Sequence, residues 1–134
     1  MNDTTLTITG NLTADPESRT SAGGTTIARL TVASTPRVFD KRTGEWSDGT
    51  TLFLRVTAFG HLADHVRLSL HKGDRVIVTG QLRARVWENE DGSRGSAVEL
   101  VAEEIGAALR YATAAITRAP SIRRRAAAGE EDAA

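Results

Sequence analysis

The 134-residue chain has no cysteine, which excludes disulfides, thiolate metal sites and cysteine nucleophiles. No apolar run is long enough to cross a bilayer, and Met1-Asn2-Asp3-Thr4-Thr5 lacks the basic region and apolar stretch of a secretion signal. The sequence therefore predicts a soluble, cytoplasmic protein. Neither charge is in surplus, since 17 basic residues face 17 acidic ones. Coating a polyanion by bulk charge is thereby disfavoured, and any attraction for one has to be local. There is no phosphate-cradling glycine loop of the Walker type, no serine-centred elbow and no isolated pair of carboxylates facing a pocket, so no catalytic residues are assigned. Glu103-Glu104 suits a solvated strand end better than acid and base catalysis. Proline and long helical patterns are scarce while Thr and Val are frequent, a composition that favours strands. A hydrophobic content of 40% suffices for the core of one domain.

In the first predicted strand, Thr4 to Leu12, Leu6, Ile8 and Leu12 alternate with polar residues. Asp15-Pro16 bends the chain and Ser21-Ala22-Gly23-Gly24 is a turn; a second strand, Thr26 to Ser34, turns Ala28, Leu30 and Val32 to one side. Pro36 to Gly49 reads as a long polar loop in which Arg37, Lys41 and Arg42 are interleaved with Phe39 and Trp46. The third strand is Thr51 to Phe59. Leu62, Val66 and Leu70 then have helical spacing, ended by Lys72-Gly73-Asp74. The fourth strand runs from Arg75 to Trp87, and Asn89-Glu90-Asp91-Gly92-Ser93 joins it to a fifth, Ser96 to Ile105, with Val98, Leu100 and Ala102 inward. Gly106 to Ile116 is ambiguous between a helix, which its alanines suit, and an extension of the sheet. From Thr117 the low apolar content predicts a disordered tail carrying Arg123-Arg124-Arg125 and Glu130-Glu131-Asp132.

Two strands have faces of unusual chemistry. In the third, Leu52, Leu54, Val56 and Ala58 form an apolar side, opposite Phe53, Arg55, Thr57 and Phe59. In the fourth, Val76, Val78, Leu82, Ala84 and Val86 oppose Arg75, Ile77, Thr79, Gln81, Arg83, Arg85 and Trp87. Either polar face could line a second core. Both, however, combine rings and arginines without a single carboxylate in a chain of balanced charge, which favours a stacking platform for nucleotide bases. His61 and His65, four apart on the predicted helix, could share a metal with Asp64; two solvated histidines is the preferred account, and no metal or cofactor is expected. Five strands with a short helix between the third and fourth is the order of the all-β, five-stranded OB-fold barrel, which binds oligonucleotides and oligosaccharides. RNA binding or protein interaction through the same faces stays open on this basis.

In Gly10-Asn11-Leu12, Asp15-Pro16-Glu17, Arg55-Val56-Thr57-Ala58-Phe59-Gly60, Lys72-Gly73 and Gly80-Gln81-Leu82-Arg83 continuing to Arg85 and Trp87, the chain resembles the bacterial single-stranded DNA-binding proteins. Thr43-Gly44-Glu45-Trp46 and Glu104-Ile105-Gly106 with Leu109-Arg110-Tyr111-Ala112-Thr113 are most similar to actinobacterial members. The resemblance implies a nucleoid-associated homotetramer that wraps single-stranded DNA, with stacking rings at Phe39, Phe53, Phe59 and Trp87. It implies phosphate contacts at Arg19, Arg29, Lys41, Arg55, Lys72, Arg83 and Arg85. It also implies antiparallel pairing of first strands between subunits and a strand-like clamp at 106–116, giving a domain at 1–116 and a tail at 117–134. The tail lacks the Ile-Pro-Phe tip of replicative members, so recruitment of partners by that route is not expected and the chain reads as a short, specialised paralogue.

Overall fold

Alternating apolar residues build most of this molecule, because each strand must bury one side. The computed structural model describes residues 3–120. Its strands are β1 (Thr5–Leu12), β2 (Glu17–Thr20), β3 (Thr26–Ser34), β4 (Arg37–Asp40), β5 (Glu45–Asp48) and β6 (Leu52–Phe59), followed by helix α1 (His61–Ser69) and strands β7 (Arg75–Glu88) and β8 (Arg94–Ala107). Hydrogen bonds order the main sheet β1-β7-β8-β6-β3-β2, and β1 also pairs with β3 through Asn11 and Leu12. That contact closes five strands into a ring, with β2 laid along the remaining edge of β3. Of the pairings among the described residues, only β6–β8 is parallel. This is the barrel expected from the sequence.

Leu30, Val32, Val56, Val76, Val78 and Leu100 fill the barrel, and α1 covers one end with Ala63, Val66 and the following Leu70. Two glycines let backbones approach where the ring is tightest. A Cβ on Gly10 would overlap the Ala33 carbonyl at the β1–β3 closure, and one on Gly80 would overlap that of Val101. Next to Gly80 the ladder shifts register: Thr79 pairs with Glu104 but Gly80 with Ala102, so Glu103 is an extra residue in β8. The bulge returns Ile105 to the inner side, where it packs against the core beside Ala102.

Several expectations need correction. Pro36 to Gly49 is not a simple loop, because Arg37–Asp40 and Glu45–Asp48 pair as a separate two-stranded hairpin. Residues 17–20, for which no element is predicted between the Asp15-Pro16 bend and the turn at Ser21, form β2. Leu52, Val86 and Val98 lie on the sides expected inward, yet they are 54%, 63% and 56% exposed. Their strands extend past the end of the barrel, where no opposing layer remains to cover them. Thr57 departs the other way, at only 3% exposed.

From Ala108 to Ile116 the chain forms neither the helix its alanines suggest nor a further ladder. It is held by the Ala108 N–H, which donates to the Arg75 carbonyl at 2.9 Å, and by the Tyr111 ring, 5.6 Å from the Arg75 guanidinium. Ala112 to Thr117 then line a groove with Leu62, His65, Val66 and Ser69 of α1. Residues 117–120 have no regular structure, and the rest of the expected tail, including Arg123-Arg124-Arg125 and the acidic end, lies outside the described residues.

Candidate nucleic-acid interface

The strand order decides what the two ring-bearing faces can do together. β8 lies between β6 and β7, so they are not adjacent. Cross-strand register aligns Thr31, Arg55, Glu99 and Arg83 in one row, and Arg29, Thr57, Val101 and Gln81 in the next. A carboxylate therefore stands between the two arginines of a surface whose β6 and β7 portions contain none. Glu99 was not singled out in the sequence. Its signal was the alternation of β8 itself, since Val98, Leu100 and Ala102 inward leave Ala97, Glu99 and Val101 outward. The Thr57 hydroxyl donates to Glu99 Oε2 at 3.1 Å, which accounts for a buried threonine on this face.

Beyond the Arg55–Glu99 pair, β6 and the β7–β8 hairpin part. The fork is an open cleft of about 590 Å³ lined by Phe53, Arg55, Arg85, Trp87, Ala97, Val98 and Glu99. Four of the expected contact residues thus share one site. Trp87 is oriented by its surroundings: its indole N–H donates to Asn89 Oδ1 at 3.1 Å, and the Arg85 guanidinium lies 5.8 Å from its ring. Its cross-strand partner is Gly95, where a Cβ would collide with the indole. Gly95 is a positioning residue that sequence reading missed. Asn89 is steadied in turn by a bond from its Nδ2 to Ser93 Oγ at 2.9 Å. Hydrogen bonds from the Ser93 hydroxyl and backbone N–H, at 2.6 and 2.9 Å, hold the Asp91 carboxyl below the usual carboxylate range.

The other expected residues are spread around this cleft. Phe59 is exposed and pairs with Ile27 at the far end of β6. Phe39 sits on the small hairpin opposite Trp46, with ring centroids 5.1 Å apart and tilted by 54°. Trp46 is the more exposed of the two, so the hairpin offers a ring pair where one ring had been expected. Lys41 lies at that hairpin's turn, beyond the Arg37–Asp48 ion pair of 3.1 Å. Arg83 is exposed and donates to Gln81 Oε1 at 2.6 Å. Arg29 is half-buried, its Nε without a hydrogen-bond partner among the described residues, in a small pocket with Arg55, Asp15 and Glu17. Being half-buried, it is less open to a phosphate than the exposed Arg55. Lys72 caps the turn before β7, where its backbone N–H donates to Asp15 Oδ1 at 2.7 Å, and Arg19 is exposed on β2. His61 and His65 are exposed on α1, and no group of three metal-ligating residues occurs among the described residues.

A closed OB-type barrel with exposed rings and arginines on one side defines the class: an oligonucleotide-binding barrel. The sequence model of the Single-strand binding protein family matches residues 1–108, and the chain belongs to that family. It is 51% identical over 117 residues to the single-stranded DNA-binding protein of Mycolicibacterium smegmatis, covering 87% of this chain and 71% of the relative. It is also 51% identical over 119 residues to that of Bifidobacterium longum, covering 89% and 55%. Among solved structures, the small single-stranded DNA-binding protein from Streptomyces coelicolor matches with a TM-score of 0.69 at 34% identity, over 81% of this chain and 97% of that one. These relatives make it a protein of the actinobacterial type.

Proposed function

We propose that the chain binds single-stranded DNA without reading a defined sequence, stacking bases on its exposed rings and meeting phosphates with its arginines. The observation that carries this reading is the cleft that gathers Phe53, Arg55, Arg85 and Trp87 on one exposed side of the barrel. Bases threaded there would stack on Phe53 and Trp87, and the strand would continue toward Phe59 on one side and the Phe39–Trp46 pair on another. Arg55, Arg83 and Arg85 are the main phosphate contacts in this account; Arg19, Arg29, Lys41 and Lys72 extend it along the path. Duplex DNA should bind poorly, because its bases are already stacked on one another.

We infer further that the working unit is a homotetramer associated with the nucleoid. The support is the edge of β1: from Thr5 to Gly10 it pairs with β7 on one side and, among the described residues, with no strand on the other. Such an edge suits antiparallel pairing with a second copy. Exposed Leu52, Val86 and Val98 provide apolar surface for contacts between dimers, and residues 106–116 would clasp a neighbouring subunit. Trp87→Ala tests the binding mode. It should weaken affinity for oligothymidine by about 1–3 kcal/mol, the worth of one stacked base; unchanged affinity would remove Trp87 from the platform. Sedimentation of the free protein checks the tetramer.

A further inference from the structure

Glu99 is unexpected in a site for a polyanion. It stands at the apex of the fork between β6 and the β7–β8 hairpin, with Phe53 on one wall and Arg85 and Trp87 on the other. A carboxylate there repels phosphate, so the phosphates of a bound strand are left to the flanking Arg55, Arg83 and Arg85 and none sits at the apex itself. What enters the fork is then a base, which the flanking rings are suited to stack. The carboxylate is also not consumed by its neighbours. Arg55 and Arg83 are its cross-strand partners, yet the ion pair among the described residues is Arg37–Asp48. Its Oε2 accepts one hydrogen bond, from Thr57, and that hydroxyl is itself buried, so the bond fixes the head of the side chain in place. An ionised carboxylate has about four acceptor positions. Among the described residues only Thr57 takes one of them, and Glu99 lines the cleft.

We propose that Glu99 is a specificity-determining residue that accepts a hydrogen bond from the amino group of a base seated in the fork. Cytosine offers its N4 amino group, adenine its N6 and guanine its N2 next to N1–H, all donors that a carboxylate can accept. Thymine presents its N3–H between two carbonyl oxygens, and both of these repel the carboxylate. The protein then binds any sequence but favours, at this one position, a base bearing an amino group. The inference rests on the reading of this side of the barrel as a single-stranded DNA site.

The test uses three oligodeoxynucleotides of equal length: all thymidine, thymidine alternating with deoxycytidine, and thymidine alternating with the 2-pyrimidinone nucleoside, which is cytosine without its amino group. Wild-type protein and Glu99→Gln, which keeps the side chain's shape and an acceptor for Thr57, are each titrated with all three. The expected result is that wild type binds the cytosine oligonucleotide roughly fivefold or more tighter than the pyrimidinone one, as for a single base-edge contact. In Glu99→Gln the ratio should fall toward one, since an amide can turn a donor to either base. Equal affinities of wild type for the two would overturn the proposal, as would an equal gain on all three oligonucleotides in Glu99→Gln, the sign of a plain electrostatic brake. If Glu99→Gln does not fold, the wild-type comparison alone decides. Binding to none of the three would instead bring down the DNA reading on which the proposal stands.

Discussion

Trp87 shows how much of a candidate stacking residue's placement is set by its neighbours. Asn89 takes its N–H, Arg85 approaches its ring, and Gly95 leaves the space in which the indole lies. Gly95→Ala puts a methyl group into that space, so the ring must swing away while the hairpin keeps its backbone pairing. Affinity for single-stranded DNA should fall by up to about 1–3 kcal/mol, and Gly95→Ala should add nothing to Trp87→Ala in the double variant. Additive losses by fluorescence or anisotropy titration would show that Gly95 acts elsewhere. Arg55 and Arg83 belong to the same scale. Each phosphate contact removed should lower the slope of log affinity against log salt by about 0.7, so Arg55→Ala and Arg83→Ala should each flatten the salt dependence by that amount. An unaltered slope would mean that the arginine in question faces no phosphate.

Among the elements, the β7–β8 hairpin both links β1 to β6 in the barrel and supplies half of the cleft. Its register depends on the bulge at Glu103 and on the absence of a side chain at Gly80, which lies against the Val101 backbone. Backbone cannot move aside as a flexible side chain does. Gly80→Ala should therefore destabilise the fold by roughly 1–3 kcal/mol or more, read as a lowered unfolding midpoint; a wild-type midpoint would contradict the tight crossing. The strands and helix were legible in the sequence because alternation and helical spacing are local signals, seen plainly in Leu30 and Val32 or in Leu62 and Val66. The exposure of Leu52 and Val86 was not, since where a strand outruns its barrel depends on the length of others. The Phe39–Trp46 hairpin was hidden for a similar reason: short, polar strands that bury nothing leave no alternation to read. Glu99 does not stand out from the sequence, because alternation describes a single strand and a surface is made of neighbours whose order is fixed only by closure of the ring.

For the molecule as a whole, balanced charge and a basic, ring-bearing cleft describe a protein whose affinity comes from placement rather than from net attraction. The carboxylate of Glu99 inside that cleft fits the same description, since it costs general attraction and gives choice among bases. Stacking on unpaired bases is the central claim, and the tryptophans at positions 46 and 87 report on it directly. The measurement that tests it is a tryptophan fluorescence titration with oligothymidine at two salt concentrations, with duplex DNA of the same length as the control. Strong quenching by the single strand alone, shifted to higher concentration by added salt, is the predicted result. Equal quenching by duplex, or binding without any change in emission, would contradict a platform built on these rings.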